Sequence, residues 1–169
     1  KIMNRLLFDA FENFGLQITE INGGSLRNAI PRESVAKVIV AGMYSEAYVF
    51  DMQPIIKDIK NEYKTTEPNL VIEIVKSDTT PEKVMDLGTQ EGILRSIYAA
   101  HNGVYRMSAD MEDLVETSNN IARVIIKEGE ISVGCLTRSS VESSKFDLAN
   151  ALRSAFELCG CEVTLSGSY

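Results

Sequence analysis

The stretch TSNNIARVIIKEGEISVGCLTR (117–138) decides the fold class of this chain. It contains two runs rich in β-branched residues, 117–127 and 131–138, and such runs favour β-strands. The residues EGE between them are typical of a turn, so the two strands are predicted to form a hairpin. Strands joined in this way indicate an antiparallel sheet.

Around this hairpin, apolar spacing predicts an order of helix, strand, strand, helix and strand that occurs twice, with one additional strand in the second half. In the first half we expect helices over 2–14 and 45–64 and strands over 17–22, 34–42 and 70–77. In the second half we expect helices over 80–100 and 143–159 and strands over 103–107, 117–127, 131–138 and 161–167. The run over 34–42 is apolar enough for a central strand, and Thr80 and Pro81 are typical of a helix start.

These elements predict an α+β fold, a two-layer sandwich with a mostly antiparallel sheet and helices on one face. Each half is ferredoxin-like, and the layout is that of a duplication. No linker rich in Gly, Pro or Ser divides the chain, so residues 1–169 are expected to form a single domain. Lys1 begins in the middle of a helical pattern, and we therefore expect a piece excised from a longer chain.

Composition excludes several classes of partner. The net charge of −7 and the scattered Lys and Arg residues argue against nucleic acid. No apolar run of about 18 residues is present, so no membrane span is expected. Three cysteines without a signal peptide indicate reduced thiols and a cytoplasmic location.

The single histidine, His101, limits the chemistry of this chain. A catalytic zinc ion takes two or three histidines, and a Ser-His or Cys-His pair needs an oriented one. We interpret His101 as the end of a helix. The acidic run SADMEDLVE (108–116) lacks the spacing of a calcium loop and is interpreted as solvated. The fragment by itself is therefore expected to hold no metal or cofactor and to catalyse nothing.

Polar residues at strand ends are the remaining candidates. INGGSLRNAIPRE (21–33) combines a glycine turn with Asn28, while Asn120 and Arg138 lie at the ends of other predicted strands. An arginine guanidinium suits a carboxylate, so these three side chains could form an anion-binding edge. The alternative is that they are ordinary surface residues around tight connections.

Three segments carry a family resemblance: INGGSLRNAIPRESVAKVIV, LVETSNNIARV and CLTRSSVESSKFDLANALRSAFELCGCEVTLSGSY. They resemble the aminoacyl-histidine dipeptidases, which are carnosinase-like co-catalytic zinc peptidases. The resemblance implies a lid, or dimerisation, domain whose partners are the catalytic domain of the same polypeptide and a second subunit. It also implies two zinc ions in the complete enzyme, held outside this chain. The Gly-Ser-Tyr end resembles the point where such chains return to the catalytic domain.

The resemblance also assigns roles to particular residues. Asn28 matches the asparagine of an Asn-x-Ile-Pro motif, and Arg138 matches an arginine at the end of the strand before the last helix. Both are implied to contact the dipeptide substrate, chiefly its carboxylate or scissile carbonyl. Asn120 matches a further motif asparagine, and Arg27 inherits no role.

Two other function classes are compatible with this fold. One is a ferredoxin-like regulatory domain that senses an amino acid. The other is an RNA-binding sheet, but IARVIIK, ISVGCLTR and SVAKVIV carry no aromatic residue on which a base could stack.

Overall fold

The computed structural model describes residues 1–167 and contains four α-helices and five β-strands. The helices are α1 (Ile2–Phe14), α2 (Ser45–Tyr63), α3 (Leu87–Ala99) and α4 (Glu142–Glu157). The strands are β1 (Gln17–Gly23), β2 (Ser34–Ile39), β3 (Gly103–Met107), β4 (Val115–Lys127) and β5 (Glu130–Ser139). No helix of residues 1–167 is long and apolar enough to cross a membrane.

The sheet is built around the long strand β4, and every pairing is antiparallel. One edge of β4 pairs with β5 from Thr117 to Lys127. The other edge pairs with β3 near its start and with β1 near its end, and β2 lies beyond β1. The predicted hairpin between β4 and β5 is confirmed: Lys127 pairs with Glu130, so the turn consists of Glu128 and Gly129, both with positive φ.

The helices form one layer in the order α2, α1, α3, α4, as their mutual contacts show. Two apolar clusters fill the space between helices and sheet. One cluster centres on α1, α2 and β1, and the other on α3, α4 and β4. The halves meet where α1 packs on α3 and β1 pairs with β4. The predicted two-layer α+β sandwich is confirmed, with two strands in the first half of the chain and three in the second.

Two predicted strands are absent from residues 1–167. The segments 71–76 and 162–167 carry no strand assignment, and no backbone hydrogen bond involves them among the described residues. Residues 71–76 still alternate in burial, because Ile72 and Ile74 pack on the first apolar cluster while Val71 and Val75 face solvent. The prediction of a central strand over 34–42 is also wrong: β2 ends at Ile39 and forms an edge of the described sheet.

The predicted start of the third helix at Thr80 is wrong as well. α3 begins at Leu87, and the Asp86 carboxylate caps it by accepting the backbone N–H of Thr89 at 2.9 Å. The backbone N–H of Met85 donates to the carbonyl oxygen of Ile18 at 2.8 Å. This bond ties the preceding residues to β1, so they cannot join the helix.

Candidate functional site

The loop from residue 24 to 33, which we call the corner loop, connects β1 to β2. Its base is closed by the backbone N–H of Gly24, which donates to the Glu33 carbonyl at 3.3 Å. Gly24 has a φ of 78° and lies against β4, where a Cβ atom would collide with the carbonyl oxygen of Ala122. Only glycine combines this conformation with such close approach. Gly24 therefore allows the backbone of the corner loop to pack directly against β4.

Asn28 lies at the turn of this loop and is exposed. The turn is closed by the backbone N–H of Ala29, which donates to the Leu26 carbonyl at 3.2 Å. Asn120, on β4, donates its side-chain N–H to the Ala29 carbonyl at 2.8 Å. The structure thus brings Asn120 into direct contact with the corner loop, next to Asn28. This bond makes Asn120 a residue that holds the loop in place.

Asn120 and Arg138 lie on the face of the sheet that is turned away from the helices, which we call the open face. The helix face of β4 is marked by Thr117, whose hydroxyl lies 2.9 Å from the hydroxyl of Ser144 in α4. Strand side chains alternate between faces, so Ser118 and Asn120 point to the other side. Arg138 pairs with Ser118 and shares its face. Asn120 pairs with Leu136, which precedes Arg138 by two residues on β5. Such diagonal neighbours have Cα atoms about 7–8 Å apart.

Arg138 is exposed, and its guanidinium makes no hydrogen bond or ion pair within residues 1–167. Arg123 has the same features and lies opposite Gly134 on the open face, beyond the irregularity in the pairing at residues 121–123. Arg27 extends from the corner loop to Gly167. If residue 167 carried a Cβ atom, that atom would lie 3.4 Å from Nη2 of Arg27. Arg138 and Arg123 therefore lie on one face of the sheet, and neither forms an ion pair within residues 1–167. The planar guanidinium of Arg138, at the end of β5, suits a carboxylate.

Asn28 and Arg138, which border the open face, are both exposed. Two clefts of residues 1–167 lie elsewhere: one of about 540 Å³ borders the start of α4, and one of about 220 Å³ lies beside α1. Neither is lined by Asn28, Asn120 or Arg138. The residues can thus contact one side of a ligand, and a second surface would have to cover the other side.

The residues present do not suit a zinc ion. Within residues 1–167 no group of three or more His, Cys, Asp or Glu side chains is arranged to hold a metal. The Nε2 atom of His101 lies 3.0 Å from the carbonyl oxygen of Val104. The Sγ atoms of Cys159 and Cys161 are 3.5 Å apart, and burial together with the Cys159 thiol raises the pKa of Cys161 to about 11.

The sequence prediction missed Arg123 and left Asn119 undistinguished from Asn120. Arg123 lies between apolar residues in IARVII, and strand alternation is the signal that could have placed it on the outer face. Asn119 is buried on the helix face, donates to the His101 carbonyl at 2.7 Å and accepts the Thr137 hydroxyl at 3.0 Å. Adjacent asparagines therefore have opposite positions, one inside the fold and one on the open face.

Comparisons with known proteins agree with this architecture. Residues 1–71 match the sequence model of a family described as a peptidase dimerisation domain. The chain is 30% identical over 169 residues to the cytosol non-specific dipeptidase of Escherichia coli strain K12, covering 100% of this chain and 35% of the relative. It also matches the crystal structure of aminoacylhistidine dipeptidase from Vibrio alginolyticus with a TM-score of 0.95 and 30% identity. That match covers 100% of this chain and 34% of the other, so the chain spans about a third of the relatives' length. Ser168 and Tyr169, at the end of the quoted resemblance, lie outside the described residues.

Proposed function

We propose that this chain is the substrate-clamping and dimer-forming lid of a zinc-dependent enzyme that hydrolyses aminoacyl-histidine dipeptides. This is supported by the match of residues 1–71 to the peptidase dimerisation domain and by the similarity of the whole chain to two dipeptidases. The single domain over 1–169 would then be one of two domains in a longer polypeptide. Two zinc ions would be bound by the catalytic domain, since the residues described here do not suit them. The acidic charge supports a protein without nucleic-acid or membrane partners, and the name of the Escherichia coli relative supports a cytoplasmic location.

The observation that supports this proposal is that Asn120 holds the corner loop, which carries Asn28, beside the face on which Arg138 lies. Arg138 would bind the C-terminal carboxylate of a dipeptide through its planar guanidinium. Asn28 would bind the same substrate, chiefly at the oxygen of its scissile carbonyl. Asn120 would hold the loop that carries Asn28. The catalytic domain would close over the open face, exclude water and complete the site.

The test replaces Arg138 by alanine in the complete enzyme. We expect kcat/KM for an aminoacyl-histidine dipeptide to fall about 100-fold, comparable with the loss of one fixed donor in a catalytic site. The fold should persist, because Arg138 is exposed and its guanidinium makes no hydrogen bond or ion pair within residues 1–167. Circular dichroism and the unfolding midpoint measure this directly.

Two controls separate a carboxylate clamp from a general charge effect. Arg123→Ala removes a guanidinium from the same face and should change kcat/KM by less than about 3-fold. The C-terminal amide of the same dipeptide should be a poor substrate for the wild-type enzyme, and Arg138→Ala should abolish that discrimination. Wild-type turnover by a folded Arg138→Ala enzyme would disprove the clamp.

The isolated 169-residue chain provides a separate test. With added zinc and an aminoacyl-histidine dipeptide it should show no turnover, and clear turnover would contradict its role as a lid. Calorimetry with free histidine should likewise show no tight binding, because an open surface contacts a ligand on one side. Tight binding would instead favour an amino-acid-sensing domain.

A further inference from the structure

The outer side of α2 carries an apolar centre that the fold leaves uncovered. Met52, Ile56 and Ile59 bury one side of this helix. Phe50 lies on the opposite side and is 76% exposed, and Met43, just before the helix, is 82% exposed. Phenylalanine and methionine are enriched at protein interfaces relative to the rest of the surface. Pro54 lacks an N–H, so the Phe50 carbonyl has no intrahelical donor there.

Charged residues of opposite sign lie on the two sides of Phe50 along the helix. Glu46 precedes Phe50 by one turn, and Lys57 follows it by two turns, on the same outer side of the helix. Both side chains are exposed and form no ion pair within residues 1–167. We call six exposed residues of this side the α2 stripe: Met43, Glu46, Phe50, Gln53, Lys57 and Lys60.

Two such stripes complement each other when they run antiparallel about a two-fold axis between positions 50 and 53. In that register Glu46 of each copy faces Lys57 of the other, and Met43 faces the apolar stem of Lys60. The two Phe50 side chains are offset by three residues, or about 4.5 Å along the helix, and can pack on each other. A two-fold interface requires this kind of self-complementarity.

We propose that the α2 stripe is the surface through which a second copy of this chain docks, with the two α2 helices antiparallel. The inference rests on the proposed dimer-forming function and names its surface. The stripe lies within residues 1–71, which match the dimerisation-domain family. The central helix α1 and strand β1 are already covered by α3 and β4 of the same chain. The outer helix α2 is free of that internal packing on its exposed side.

Sedimentation equilibrium of the 169-residue chain tests the apolar centre. The wild-type chain should dimerise, and Phe50→Ser should raise the dissociation constant about 100-fold or more, because each dimer loses two central aromatic side chains. The matched control is Leu158→Ser, which removes an 89% exposed apolar side chain at the end of α4, outside the stripe. It should leave the dissociation constant unchanged.

The charge register provides a second, independent test. Glu46→Lys and Lys57→Glu should each weaken the homodimer by about 3- to 10-fold, since each places like charges opposite one another. An equimolar mixture of the two variants should restore association as a heterodimer, and the double variant should restore the homodimer. A structural effect of either substitution would not be rescued in this way.

The possible failures are distinguishable. A wild-type chain that stays monomeric at all concentrations contradicts dimerisation itself, and this surface with it. A dimer that Phe50→Ser and both charge variants leave intact contradicts only the α2 surface. The Arg138 experiment on the complete enzyme reports on the substrate clamp whichever result is obtained.

Discussion

Gly24→Ala should destabilise the chain by distorting the contact between the corner loop and β4. The matched control is Gly160→Ala, because Gly160 has nearly the same backbone conformation, with φ of 83° against 78°. At Gly160 an added Cβ meets no atom within 4 Å, whereas at Gly24 it collides with the Ala122 carbonyl. The difference between the two variants therefore isolates the contact of the loop.

The magnitude follows from the bonds that anchor the loop. An alanine in the left-handed region costs about 1–2 kcal/mol at either position. At Gly24 the loop must also move away from β4, which weakens the bonds from Asn120 to Ala29 and from Gly24 to Glu33. Two such bonds contribute about 1–3 kcal/mol together. Gly24→Ala should thus be about 1–3 kcal/mol less stable than Gly160→Ala.

Urea unfolding of the 169-residue chain, followed by circular dichroism, measures this difference. With a slope of about 2 kcal/mol per molar urea, the midpoint of Gly24→Ala should lie roughly 0.5–1.5 M below that of Gly160→Ala. In the complete enzyme Gly24→Ala should also lower kcat/KM, because Asn28 moves with the loop. Equal midpoints for the two variants would refute the reasoning that β4 holds the loop.

Two further predictions concern the backbone and a helix cap. In the isolated chain the amides of 71–76 should exchange with deuterium far faster than those of β4, because no backbone hydrogen bond protects them among the described residues; strong protection would show that they are paired. The hydrogen bonds from Thr89 lower the pKa of Asp86, so the carboxylate stabilises the fold above the ordinary aspartate pKa of about 4, and this contribution is lost as pH falls through the lowered value. The unfolding midpoints of wild type and Asp86→Asn should therefore converge on acidification, and a gap that is constant from about pH 6 to 2 would contradict this.

The elements that sequence predicted best are those whose signals are local. The hairpin between β4 and β5 is specified by strand-forming runs and a turn, and Gly15 ends α1 in the left-handed conformation that a glycine at this position favours. The predicted start of α3 was wrong because the Thr-Pro pattern favours a helix start, whereas the hydrogen bond from Met85 to Ile18 holds this segment against β1. The segment 70–77 has the composition of a strand, but a strand also needs a neighbouring strand to pair with, and composition does not reveal whether one is present.

The candidate site divides in the same way. The motif that contains Asn28 and the strand end that carries Arg138 were visible in the sequence, together with the resemblance that gives them a role. Their common position was not visible, since it depends on the bond between Asn120 and Ala29, 91 residues apart in the chain. It also depends on the irregularity in β4, which decides the face on which Arg123 lies.

By itself, the sequence indicated the α+β class and the antiparallel hairpin of β4 and β5, because these follow from periodicity and turn composition. Tertiary structure alone decided which face each polar residue occupies and which edges remain unpaired. The pairing of β1 with β4 joins residues about 100 positions apart and makes the strands of the two halves one continuous sheet. The corner loop reaches the open face only because Gly24 lets its backbone rest on the carbonyl of Ala122.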